Sequence, residues 1–152
     1  MRIAKLPTTL LFILAPLLVG VEPAASAEAN QAIINTVKKR MPSFKLCFDD
    51  ALKRKGHLEG KVVIGFEVGA DGRVTRSKVE QDNIADPEVG CCAALLMRRI
   101  KFEPPAQAPV RESFPFVFVN PNAPGKPPKN PPPPTTYCAD LKKLDAPAPA
   151  AP

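Results

Sequence analysis

Residues 60–79, reading GKVVIGFEVGADGRVTRSKV, constrain this chain more than any other stretch. Val62, Ile64, Phe66 and Val68 fall on one side of an extended segment, with Val63, Gly65 and Glu67 on the other, because side chains alternate along a strand. Gly69-Ala70-Asp71-Gly72 separates this run from a second one. Asp71 suits a turn and Gly72 takes positive φ without steric cost, so the spacing predicts a β-hairpin with strands over 61–68 and 73–80. A lone hairpin is marginal in water. Its apolar side must therefore be covered by the rest of the chain.

The flanking segments supply helices for that purpose. Asn30 is placed to cap a helix whose apolar positions are Ile33, Ile34, Val37 and Met41. Pro42 disfavours helical geometry at Met41 and suits the first turn of a following helix over 42–55. There Phe44, Cys47, Phe48, Ala51 and Leu52 make one continuous face. Lys53, Arg54 and Lys55 complement the dipole at its end, and Gly56 suits the position just past it. Asp86-Pro87 signals another start, an N-cap acceptor followed by proline. Val89, Cys92, Ala93, Leu96 and Ile100 share a face of that helix, and Arg98, Arg99 and Lys101 crowd its C-terminal end. After a proline-rich loop over 103–109, residues 110–119 alternate again, with Phe114, Phe116 and Phe118 as core candidates. Pro115 lacks an N–H and so belongs on an edge. The order helix, helix, strand, strand, helix, strand predicts an α+β domain over 28–119. It comprises a small antiparallel sheet with helices packed on one face.

The two ends read differently. Arg2 and Lys5 precede an uncharged run over 6–21, and Ala25-Ser26-Ala27 follows, which is the pattern of a signal peptide over 1–27. The apolar part is shorter than the ~20 residues of a spanning helix. A periplasmic or secreted protein is expected, with an uncleaved inner-membrane anchor as the alternative. Residues 120–152 are a proline-rich tail, with prolines consecutive at 131–134, a composition that favours extended polyproline geometry. Within it, 135–145 stands apart: Tyr137, Leu141 and Leu144 lie at i, i+4 and i+7, one face of a short helix.

Four cysteines in an exported chain favour disulfides. Cys47 and Cys92 each lie on the apolar face of their helix, and two helices covering one sheet face can bring them together. A Cys47–Cys92 bond is expected. Cys91 lies about 100° around the same helix, and its remaining partner within the chain is Cys138. A Cys91–Cys138 bond would staple the tail to the domain; the rival is a bond from Cys138 to another chain. His57 is the only histidine and no Cys-x-x-Cys spacing occurs, so no metal site is expected.

Several spaced motifs together resemble a family. Phe44-Lys45-Leu46-Cys47-Phe48, Leu58-Glu59-Gly60-Lys61-Val62, Gly69-Ala70-Asp71-Gly72-Arg73-Val74, Asp86-Pro87 with Cys92, Arg98-Arg99-Ile100-Lys101-Phe102 and Phe114-Pro115-Phe116-Val117-Phe118 look like a TonB-type C-terminal domain. The closest variety is that of the AgmX/PglI gliding-motility proteins, and the likeness covers residues 30–119. It implies a paired Cys47 and Cys92. It also implies a non-catalytic periplasmic module that holds a partner segment, often by strand addition. The order of parts departs from a TonB-type transducer, since the proline-rich segment follows the domain. A membrane-anchored energy transducer is thus the alternative reading.

Other function classes find little support. Ser43, Ser77 and Ser113 lack a Gly-x-Ser-x-Gly context. Asp49-Asp50, Asp71 and Asp82 read as caps, turns and solvated faces, and no phosphate-cradling glycine loop or dinucleotide fingerprint is present. No catalytic residue and no cofactor is expected. The formal net charge of +6 reads first as a solvated basic surface, with contact to an anionic surface or cell-wall polymer as the alternative. Tryptophan is absent and Tyr137 is the only tyrosine, so stacking platforms for nucleic acid are missing. The expected activity is binding of an envelope protein or peptide segment, at the edge of strand 110–119 or through the tail. Val110, Glu112, Phe114, Phe116 and Phe118 are the candidate contact residues. Oligomeric state is not legible.

Overall fold

The computed structural model describes residues 24–120 and 129–146. Most of the expected signal peptide, and residues 121–128 and 147–152 of the tail, lie outside them. The elements run α1 (Ala24–Lys39), α2 (Met41–Lys55), β1 (Gly60–Val68), β2 (Val74–Asp82), α3 (Pro87–Arg98), β3 (Val110–Phe118) and α4 (Tyr137–Asp145). The strands form one antiparallel sheet in the order β2-β1-β3, with helices against it. This is the α+β class read from the sequence. Asn30 is not a cap. The helix begins at Ala24, because alanine-rich 24–29 has high helix propensity and carries the element back past Asn30.

The hairpin turn is closed by its own backbone. The Gly69 N–H donates to the Arg73 carbonyl at 2.8 Å and the Gly72 N–H to the Gly69 carbonyl at 3.0 Å. The Asp71 carboxylate accepts from the Arg73 N–H at 3.0 Å. Gly72 has φ +78°, and a Cβ there would overlap the Phe102 carbonyl oxygen. Its own carbonyl accepts from the Phe102 N–H at 2.8 Å. Glycine is thus required both by conformation and by close approach.

Simple alternation does not describe β2. Its register against β1 slips twice, leaving Glu80 and Thr75 as extra residues. Each β-bulge changes which side chain faces inward. Val74 and Ser77 are therefore both buried although they are three apart.

The core lies between the sheet and the helices. Val62, Ile64, Phe66 and Val68 of β1 are all buried. From α2, the Phe44 ring lies 4.4 Å from that of Phe116, and Phe48 stacks on Phe118 at 4.9 Å. Helix α3 packs over β1 and β2 and is also met by α2 and α4. Its sheet contact is close at Gly90, where a Cβ would lie 2.6 Å from Asp82 Oδ2 and 3.3 Å from the Val79 methyls. Ala93, Ala94 and Met97 are buried, whereas Leu96, expected on the buried face, is half-buried. A helix with neighbours on three sides has a wider buried sector than one amphipathic stripe.

Two disulfides hold α3 to its helical neighbours. Cys47–Cys92 ties α2 to α3 with Cα atoms 5.8 Å apart, and Cys91–Cys138 ties α3 to α4 with Cα atoms 4.9 Å apart. Successive helical residues point about 100° apart, so adjacent cysteines serve different partners. The closed loops span 45 and 47 residues and share only the 91–92 link. On the chain-entropy relation each is worth roughly 4 kcal/mol.

Helix α4 lies parallel to α3, as its two ends show. Glu88 accepts from the Cys138 N–H and the Thr135 hydroxyl, both at 3.3 Å, and Arg98 pairs with Asp145. Leu141 is buried, but Leu144 is 58% exposed. The expected single apolar face of Tyr137, Leu141 and Leu144 is split between core and surface. Among the described residues no helix is long and apolar enough to cross a membrane.

Candidate functional site

Strand β3 pairs with β1 through nine residues in unbroken register, and its other side has no strand neighbour among the described residues. Strand β2 is the other edge, but its two bulges interrupt it. Bulges blunt an edge against further pairing. The flatter edge is β3.

Five residues of β3 were candidate contacts. Phe116 and Phe118 are buried against α2, and Val110, Glu112 and Phe114 are half-buried in the same inward row. The side chains of Val110, Phe114, Phe116 and Phe118 serve the hydrophobic core. A strand laid along this edge would meet backbone and the outward row of Arg111, Ser113, Pro115 and Val117. Val117 and Val119 are 69% and 67% exposed. The alternation that marks the phenylalanines as core marks this complementary row as well.

On the outward sheet face the charges are organised around a gap. Gly65 of β1 has no side chain, and the Glu80 carboxylate lies where its Cβ would be. Glu80 accepts from the Ser113 hydroxyl at 2.7 Å and pairs with Lys78 at 3.2 Å. These two contacts hold its carboxyl below the usual range. Arg111 donates to Glu67 at 2.8 Å and the Thr75 hydroxyl donates at 3.2 Å. Glu67 is lowered in turn, mainly by Arg111. Glu80 thus reaches from β2 to β3 over Gly65, and Arg111 joins β3 to β1. Together they clasp the three strands across a shallow depression of about 640 Å³.

Other acids and bases are held by structural partners. Arg54 lies between Asp50 at 2.7 Å and Asp86 at 3.1 Å. Burial works to discharge it, but the two carboxylates outweigh burial and raise its pKa. Asp86 also caps α3, accepting from the Glu88 N–H at 3.1 Å. Asp82 is pushed above the usual aspartate range by burial and by the charge of Asp86, while a bond from the Ile84 N–H at 2.8 Å opposes the shift. Ser77, fully buried, donates to the Ala94 carbonyl at 2.7 Å and accepts from Arg98 Nε at 3.1 Å. Arg98 thereby links β2, α3 and α4. In sequence it reads only as a helix-end charge, and Ser77 as one serine among several. Their pairing depends on the β2 bulge, which leaves no mark in spacing.

His57 lies beside Asn120 just past β3, with Nδ1 3.3 Å from the side-chain nitrogen. Among the described residues no group of three His, Cys, Asp or Glu side chains could hold a metal ion. No protein-family model, curated protein or solved structure matches this chain.

Proposed function

We propose that this protein is a non-catalytic, exported module of the cell envelope that binds a partner protein segment as an added strand beside β3. One observation carries the reading: nine β3 residues in continuous register, open on their outer side among the described residues. Strand addition draws affinity from main-chain bonds and specificity from alternate side chains. Arg111, Ser113 and Val117 would supply the latter. A proline within a ladder turns its missing donor toward the open side. Pro115 therefore divides the edge into two short stretches and guards against self-pairing.

The two disulfides suit an oxidising compartment. The signal-peptide pattern and the resemblance to TonB-type domains support a periplasmic or secreted location. The carboxylates of Glu67, Glu80 and Asp86 are engaged by structural partners, which supports binding rather than catalysis. The uncharged run over 6–21 favours a second reading, a membrane-anchored transducer, should the leader be retained.

Photo-crosslinking in the native envelope tests the site. A benzophenone side chain at Val117 is expected to give one discrete adduct, and the same group at Thr75 on bulged β2 none. Equal adducts from both edges, or none from β3, would remove the support for strand addition.

A further inference from the structure

A second surface lies on the helical side, beside the Cys47–Cys92 disulfide. There α2, α3 and α4 leave a groove of about 650 Å³, walled by Leu46, Leu95, Leu96, Tyr137 and Leu144. Leu46 is 66% and Leu144 58% exposed. The two exposed leucines share one concavity, the shape that receives the apolar stripe of a partner helix. The stapling of α4 creates it: Leu141 turns into the core, which leaves Tyr137 and Leu144 on the neighbouring strip of the helix facing outward. At the Arg99 end the groove adjoins a smaller recess of about 210 Å³, which shares Ser43, Leu96 and Arg99 with it and is also lined by Arg40.

The rim is cationic. Arg40 and Arg99 are exposed, and neither side chain has a hydrogen bond or ion pair among the described residues. Lys143 pairs with Asp140 at 3.5 Å. The nearby carboxylates on α2 are already used, Asp49 by Lys45 and Asp50 by Arg54. The groove and its adjoining recess therefore combine an apolar floor with two guanidinium groups that are unmatched among the described residues.

We propose that this groove receives an acidic amphipathic helix of a partner protein, its apolar stripe on the leucines and its carboxylates on Arg40 and Arg99. Helical walls around an apolar trough suit helix-in-groove recognition, and guanidinium forks match carboxylates bidentately. Charge selects against the nearest rival, a second copy, because self-association would set this cationic rim near its own like in a chain of net charge +6. The surface is independent of the β3 edge.

The test titrates isotope-labelled, oxidised protein with a short blocked peptide bearing leucine on one helical face and glutamate on the other. Its lysine counterpart and vesicles of equal phosphatidylglycerol and phosphatidylcholine serve as comparators. The acidic peptide is expected to shift the signals of Leu46, Leu95, Leu96 and Leu144. Arg40→Glu with Arg99→Glu should weaken it roughly tenfold or more while leaving the spectrum of the folded protein intact. Equal binding of the lysine peptide overturns the proposal, as do shifts confined to other surfaces. So does a response of the groove to vesicles alone, or concentration-dependent self-association through these leucines.

Discussion

Helix α4 is the element whose retention depends most on one covalent bond. It has nine residues, fewer than the roughly 12–15 an isolated helix needs in water. Leu141 is its one buried side chain, and its flanking contacts are the Glu88 bonds and the Arg98–Asp145 pair. If α4 detaches while the rest of the domain stays folded, Cys91–Cys138 still closes a loop from Phe118 to Cys138, about twenty residues. On the chain-entropy relation, opening that loop by Cys91→Ser with Cys138→Ser releases roughly 3 kcal/mol of restraint. The opening equilibrium of α4 should rise roughly 100- to 300-fold. Native-state hydrogen exchange read by mass spectrometry reports this directly. The Asp140 and Ala146 amides, bonded to the Thr136 and Lys142 carbonyls, should lose protection by that factor. Amides of central β1 should change far less, since Cys47–Cys92 still holds α2 to α3. Protection in α4 within about threefold of the parent would refute the argument that the crosslink holds the helix.

Three further outcomes follow from the geometry. Gly72→Ala should cost about 2 kcal/mol or more in urea unfolding, because it adds a side chain at positive φ and against the Phe102 carbonyl. Asp86→Ala should cost about 2–3 kcal/mol, since it removes one of the two carboxylates that hold Arg54 and leaves α3 without its cap; Asp86→Asn, which keeps a capping oxygen, should cost less. Asp82 is the case where removing a charge helps. Its folded-state pKa is raised, so the folded protein holds that proton more tightly than the unfolded chain. Stability falls as pH rises from the ordinary value of 3.8 through the folded value. Asp82→Asn should therefore raise the urea midpoint at pH 7 and leave it nearly unchanged below pH 3.8, where both states are protonated.

The hairpin, the α2 face and the Asp86-Pro87 start were legible because each is a local pattern with a local cause. Val62 to Val68 alternate, Phe44 to Ala51 repeat at helical spacing, and Asp86 caps its own helix. Cys47–Cys92 was legible from helical faces, and Cys91–Cys138 only as the pairing left within the chain, with a bond from Cys138 to another chain equally open to the sequence. What did not show was non-local. The β2 bulges set Ser77 facing inward, and only then does Arg98 find it. Arg54 reaches Asp86 across 32 residues of sequence. Leu96 and Leu144 carry the right periodicity for a core, but α3 and α4 have neighbours on other sides and leave these leucines at a groove instead. The start of α1 was misplaced because alanine propensity outweighed the cap signal of Asn30.

The most direct test of an exported, doubly stapled binding module is the intact mass of the protein purified from its native envelope, taken with and without reductant. The expected species is a single chain, not disulfide-linked to another, beginning at Glu28 and gaining four hydrogens on reduction, two for each disulfide. A mass that retains Met1, a doubled mass that halves on reduction, or thiols free before reduction would contradict it.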